Sequence, residues 1–213
     1  MIFKKQRLEL IESLSNKGIA DEALLKAMNE VEREKFIPRA IRPHAYLDIA
    51  LPIGYDQTIS QPYTIAIMTQ ALEVKKGDKI LEIGTGSGYQ AAILYAMGTK
   101  VFSIERHFEI FNNALKLFDK LSVRVRCKQG DGTLGWDEYS PFDGIIVTAG
   151  SPGIPDSLKK QLAIGGRMVI PVGDKSSQTL QVVTKMDNED FKIEKIPEFA
   201  FVPLIGREGW KDQ

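Results

Sequence analysis

The sequence predicts an α/β fold: a doubly wound, mostly parallel, Rossmann-like sheet with helices on both faces, an N-terminal helical cover and a C-terminal antiparallel strand pair. Three observations carry this expectation. The stretch Lys79 to Gln90 reads KILEIGTGSGYQ, a short apolar run, a glycine turn and the start of a helix. Through the middle of the chain, further apolar runs alternate with helical patterns, which argues for a parallel sheet covered on both faces. Finally, 213 residues with 43% hydrophobic content suit one core, and nothing reads as a linker between domains. A single domain therefore spans 1–213, with N-terminal helices and an extended arm over 1–60, a nucleotide-type core over 61–175 and C-terminal strands and a loop over 176–213.

Taken in order, Phe3, Leu8, Ile11 and Leu14 recur at helical spacing until Gly18 stops the pattern. Asp21 is placed to cap a second helix running to Val31, with Leu24, Leu25, Met28 and Val31 on one face. Arg33 to Pro43 is basic and broken by two prolines, and reads as an irregular connection with a solvated face. Pro52, Gly54 and Asp56 form turns, so Asp48 to Gly54 and Tyr55 to Ile59 read as two short extended arms. Pro62 favours a first helical turn, predicting a helix over 62–72. On position alone Ser60 reads as a helix cap ahead of a catalytic residue, although a hydroxyl beside a helix N-terminus is also where an anion can be held.

The central strand, Ile80 to Ile83, has the content of a buried strand, and Tyr89 to Met97 contains no helix breaker. A second strand, Val101 to Ile104, ends at Glu105, about 20 residues past the turn, where an acid meets ribose hydroxyls in doubly wound nucleotide folds. A helix over 108–121 follows, and Val123 to Cys127 alternates as a third strand with Cys127 in the core. Gly130-Asp131-Gly132 comes next, a turn or a place where Asp131 accepts an adenine amino group with the Gly132 backbone close to the ring. Strands at 142–148 and 167–172, separated by a helix over 155–162, complete the parallel part. Thr179 to Lys185 and Phe191 to Ile196, joined by a polar turn, predict a hairpin.

The glycine turn departs from the dinucleotide fingerprint, because Tyr89 stands where the third glycine belongs. Glu82, two residues before Gly84, would repel a pyrophosphate but attract the ammonium and sulfonium groups of S-adenosylmethionine. Acid-x-Gly-x-Gly-x-Gly after a strand resembles motif I of class I S-adenosylmethionine-dependent methyltransferases. Lys plus Arg equals Asp plus Glu at 28 each, so bulk charge points to neither nucleic acid nor an anionic membrane. The two histidines, His44 and His107, cannot make a metal cluster by themselves, so no metal is expected. One cysteine suits a reducing compartment, and the N-terminal stretch lacks an apolar signal core, so a cytoplasmic enzyme, a monomer by default, is expected.

Seven blocks in one order, LPIGYDQTISQP, LEIGTGSGYQAA, VFSIER, GDGTLGW, PFDGIIVTA, GGRMVIPVG and FVPLIGREGW, resemble the protein-L-isoaspartate O-methyltransferase family over nearly the full length. That resemblance implies transfer of a methyl group from S-adenosylmethionine to the α-carboxylate of isoaspartyl residues in damaged proteins, leaving S-adenosylhomocysteine and starting repair through a methyl ester and succinimide. By position, Ser60 matches the family's active-site serine. Glu82, Gly84, Thr85, Gly86 and Ser87 fall on the cofactor loop, Glu105 on the ribose acid, and Asp131 and Gly132 on the adenine contact. Pro52, Ile53 and Ile59 on one arm, and Val202, Pro203 and Leu204 near the C-terminus, are expected to grip the substrate. Some members carry a histidine five residues after the serine; here that position is Ile65. The rival readings are a methyltransferase acting on a metabolite or RNA, a nicotinamide-dependent oxidoreductase, and a non-catalytic scaffold.

Overall fold

The computed structural model describes residues 2–211, the side chains of residues 197 and 198 aside. Two helices open the chain, α1 (Ile2–Asn16) and α2 (Glu22–Glu30). Asp21 caps α2 as expected, its carboxylate accepting from the Leu24 amide at 3.0 Å. The segment that follows differs from its expected solvated face. It forms two 3₁₀ turns, Arg33–Phe36 and Arg39–His44, and buries Arg33 completely along with Glu34 and Phe36. The physical reason is hydrogen bonding: main-chain carbonyls of later segments accept from Nε and one Nη of Arg33, although the other Nη is buried with no hydrogen-bond partner among the described residues.

The two extended arms are strands β1 (Leu51–Gly54) and β2 (Gln57–Ile59), paired antiparallel across a turn in which Tyr55 and Asp56 both have φ of 55°. Positive φ at both central positions gives the twist a two-residue hairpin needs. Helix α3 (Pro62–Leu72) begins at the predicted proline, but Ser60 is not its cap. Asp48 fills that role from 15 residues upstream, accepting from the Tyr63 amide at 2.8 Å while Lys17 Nζ sits 2.6 Å from its other oxygen.

The main sheet has seven strands in the order β5-β4-β3-β6-β7-β8-β9. They are β3 (Lys79–Ile83), β4 (Lys100–Glu105), β5 (Arg126–Gln129), β6 (Phe142–Val147), β7 (Leu162–Gly173), β8 (Gln178–Lys185) and β9 (Phe191–Phe199). The first five run parallel, whereas β8 and β9 are antiparallel additions, so the C-terminal hairpin extends the sheet. Between the strands lie α4 (Tyr89–Ala96), α5 (Phe108–Leu121) and α6 (Asp156–Gln161).

Period-two alternation sends Ile80, Val101 and Ile146 to the face covered by α3, α4 and α5. Leu81, Phe102, Ile145 and Val147 go to the opposite face with Leu158 of α6. Two strand boundaries shift. Helix α5 ends with Ser122 at φ 55°, and the Val123 amide turns back to Phe118 O at 3.0 Å, so the third strand starts at Arg126 rather than Val123. This leaves Cys127 half-buried instead of in the core. The fifth strand begins at Leu162, with Gly165 and Gly166 inside it where the register with β6 shifts. Among the described residues, no helix is long and apolar enough to cross a membrane.

Candidate active site

Strand order reverses between β3 and β6, because the chain leaves β3 toward β4 and β5 and returns to β6 on the other side. Ligands of open α/β sheets bind outside the carboxyl ends of the strands at such a point. A cleft opens there, with the glycine turn as its floor and Ser60, Glu105, Thr148 and Val202 among its walls. Gly84 has φ of +92°, and a Cβ there would lie 2.5 Å from Thr148 Oγ1. Only glycine fits both constraints. Thr148 Oγ1 in turn reaches Gly84 O at 2.8 Å, tying the end of β6 to the turn.

Two carboxylates surround this turn. Glu105 is 6% exposed and accepts from the Gly86 amide at 2.9 Å and the His107 amide at 2.9 Å. The free amide that a phosphate would need is therefore already bonded to an acid. Glu82 points from β3 into the face under α4 and is fully buried. Its Oε2 accepts from Ser103 Oγ at 2.5 Å, and Thr85 Oγ1 lies 2.6 Å from the same hydroxyl. Glu82 Oε1 is buried with no hydrogen-bond partner. Burial lifts the Glu82 carboxyl to about 8, the Ser103 hydrogen bond opposes this, and the Glu105 charge adds to it.

Ser60 follows β2 and is half-buried in the cleft wall. Its carbonyl accepts from Arg33 at 2.8 Å, while among the described residues its hydroxyl has no hydrogen-bond partner. Ile59 lies beside it in the lining, and Ile65 and Met68 of α3 supply an apolar edge. The C-terminal segment closes the other side. Leu204 donates its amide to Gly150 O at 2.7 Å and Gly150 donates to Val202 O at 2.8 Å, so residues 202–204 are laced onto the chain beyond β6. Glu208 holds the far end of this segment through the Ser157 amide at 2.9 Å and hydroxyl at 2.6 Å.

Of the residues singled out in the sequence, the cleft gathers Ser60, Glu82, Gly84, Thr85, Gly86, Ser87, Glu105, Gly132, Ile59, Val202, Pro203 and Leu204. Asp131 is set apart, lining the adjacent depression. Its Oδ1 accepts from the Thr133 amide and hydroxyl and its Oδ2 from the Arg207 amide at 2.7 Å. Burial works against ionisation there, yet the Arg207 and Thr133 hydrogen bonds hold the carboxyl below its usual range. Pro52 is exposed and lies outside the cleft, and Ile53 packs on the N-terminal core, its Cδ1 3.8 Å from where a Gly86 side chain would start.

Three side chains went unmarked in the sequence. Arg33 was masked by its basic, proline-broken surroundings. Thr148 is an ordinary strand-end residue whose role depends on the β3–β6 pairing. Ser103 is polar inside an apolar strand, one register position opposite Glu82, and that alternation was the available signal. Among the described residues, no three His, Cys, Asp or Glu side chains come together as a metal ion would require.

The family model for protein-L-isoaspartate(D-aspartate) O-methyltransferase matches residues 5–209. A protein-L-isoaspartate O-methyltransferase of Chlorobium phaeobacteroides is 52% identical over 96% of this chain and 95% of its own. The one from Chlorobaculum tepidum is 49% identical over 98% of both. A solved protein-L-isoaspartate O-methyltransferase superposes with a TM-score of 0.86 at 31% identity, covering 95% of this chain and 67% of that one. A Plasmodium falciparum structure described as the same enzyme in complex with S-adenosyl-L-homocysteine gives 0.81 at 25% identity, over 93% of this chain and 98% of its own.

Proposed function

The chain belongs to the protein-L-isoaspartate(D-aspartate) O-methyltransferase family, a family of S-adenosylmethionine-dependent enzymes, and on that premise we propose how its cleft divides the work of methylating an isoaspartyl carboxylate. The observation that carries the reading is the unpartnered Ser60 hydroxyl facing a glycine turn flanked by two buried acids.

The residues present fit S-adenosylmethionine. The orphaned Glu82 Oε1 and the nearby Glu105 favour a cationic ligand over a phosphate, and the glycine turn leaves room where a Cβ would intrude. Glu82 is assigned to the ammonium and sulfonium end and Glu105 to the ribose hydroxyls, with Gly84, Thr85, Gly86 and Ser87 as the cradle. Gly132, in the cleft wall, is assigned to the adenine ring. Asp131 retains about one of a carboxylate's four acceptor positions, on Oδ2, for the adenine amino group. When bound, S-adenosylmethionine supplies a methyl group already activated on a sulfonium.

The substrate carboxylate has a pKa near 4 and is ionised at neutral pH, so the chain needs no general base. Its contribution is alignment, which is worth several kcal/mol when reacting groups are held in line. The Ser60 hydroxyl donates to one carboxylate oxygen and leaves the other free to attack. The β1–β2 hairpin, with Pro52, Ile53 and Ile59, and the laced segment Val202-Pro203-Leu204 take the substrate main chain. Few charges line these arms, which suits protein substrates whose flanking residues vary.

Ser60→Ala tests the assignment. Because Asp48 and not Ser60 caps α3, removal of the hydroxyl should leave stability near wild type while turnover of an isoaspartyl peptide falls at least tenfold, about 1.4 kcal/mol. Binding of S-adenosylhomocysteine should be unchanged. A variant that methylates at the wild-type rate would remove Ser60 from the site.

A further inference from the structure

Arg33 has no part in the chemistry above, and its surroundings point to one. It is 0% exposed and heads the fully buried side chains by volume. Nε donates to Ala45 O at 2.9 Å and one Nη donates to Ser60 O at 2.8 Å. The guanidinium carbon lies 4.9 Å from the ring centroid of Tyr89, the residue that follows the glycine turn and opens α4. None of the ion pairs among the described residues includes it.

Burying a guanidinium outside any ion pair, with one Nη lacking a partner among the described residues, is costly, and an apolar side chain of similar volume would serve a core better. What the cation supplies is geometry. Its planar fork fixes the chain on both sides of the β1–β2 hairpin, at Ala45 and at Ser60. Its face rests on the first residue of the helix behind the cofactor turn. One side chain thus connects the hairpin, the proposed carboxylate-binding serine and the glycine loop.

We propose that Arg33 is a positioning residue, holding the Ser60 main chain in register with the cofactor turn through Tyr89 so that the serine hydroxyl meets the substrate carboxylate in line. This rests on the reading of Ser60 given above. Lysine cannot substitute, because a single ammonium presents neither the planar face nor the two-pronged fork.

The test compares wild type, Arg33→Lys, Arg33→Met and Ser60→Ala on an isoaspartyl peptide, with each rate divided by the fraction of chains that bind S-adenosylhomocysteine. Both Arg33 variants should lose about 100-fold in kcat/KM, shared between a higher peptide KM and a lower kcat, as expected for a displacement of about 1 Å. Their affinity for S-adenosylhomocysteine should stay at the wild-type value. Met28→Ala, which opens a cavity in the same N-terminal core, is the stability control and should lower Tm without moving the peptide KM. Wild-type peptide KM and kcat in Arg33→Lys would overturn the proposal.

Should neither Arg33 variant fold, the unmodified enzyme decides. With ¹⁵N-labelled arginine, the Arg33 Nη resonances should be individually resolved and should shift when the isoaspartyl peptide is added. Resonances that ignore the peptide would overturn the proposal. An inactive wild type, or a fully active Ser60→Ala, strikes the reading of Ser60 itself. Impaired Ser60→Ala beside unimpaired Arg33→Lys strikes this inference alone.

Discussion

Glu82 and Glu105 flank the same turn, but they are held in different ways and should fail differently when changed. Glu105 accepts two main-chain amides, so the chain itself stabilises its charge. Replacing it by alanine should weaken S-adenosylmethionine binding by about 1.5–3 kcal/mol, read by calorimetry, through lost charge-assisted bonds. Unchanged affinity would leave it a brace of the glycine turn and no more. Glu82 is buried with one oxygen orphaned and titrates near 8, well above the ordinary value of 4.5. A folded-state pKa above the unfolded one means the protonated form is favoured by folding. Its contribution to stability is therefore complete below about pH 4.5 and is lost as pH rises through 8. Glu82→Gln should flatten that slope in thermal melts of the ligand-free protein across the same window. A cationic ligand reverses the preference, so binding at pH 7 should release protons from the wild type and none from Glu82→Gln. Calorimetry in buffers of different ionisation enthalpy measures this, and buffer-independent heats for the wild type would contradict it.

At the scale of elements, the piece between α2 and α3 is held by side chains acting across long stretches of sequence. Asp48 caps α3, Lys17 pairs with Asp48, and Arg33 bridges to Ala45 and Ser60. Such roles do not show in local patterns, which is why position alone favours Ser60 as the cap of α3, and why the segment around Arg33 reads as a solvated connection. By contrast, the two extended arms, though not their pairing, the proline-started α3 and the strand–turn–helix around the glycines are legible, since turn residues, Pro62 and apolar runs act within a few positions. The predicted start of β5 failed for an equally local reason, a helix cap at Ser122 with no glycine to announce it. Asp48→Ala should lower unfolding stability by about 1–2 kcal/mol in urea titrations, the usual worth of a lost cap. It should also raise the KM for peptide, because the entry to α3 follows directly on Ser60. A stable variant with wild-type KM would show that the cap does not hold the arm.

For the molecule as a whole, the sheet order puts the ends of β3, β4 and β6 side by side, and the cleft forms where they meet the N-terminal hairpin and the C-terminal segment. Glu82 and Glu105 could be placed in the sequence because their strand-end positions follow from βα alternation. Placing Val202 to Leu204 over the cleft rested on family likeness, since their pairing with Gly150 joins residues about 50 apart. This assembly should select an isoaspartyl linkage. In such a linkage the main chain passes through the side-chain carbonyl and leaves the α-carboxylate on a short branch; an aspartyl residue carries its carboxylate one methylene further out. Arms that grip the main chain beside a fixed serine should reject the second by geometry, because misplacement of the nucleophile by about 1 Å costs roughly 100-fold. Two peptides of identical composition, differing only in that linkage, should be incubated with the enzyme and methyl-labelled S-adenosylmethionine. A labelled, base-labile ester should form on the isoaspartyl peptide and about 100-fold less on its aspartyl twin; equal labelling of the two would mean that the cleft does not select the linkage.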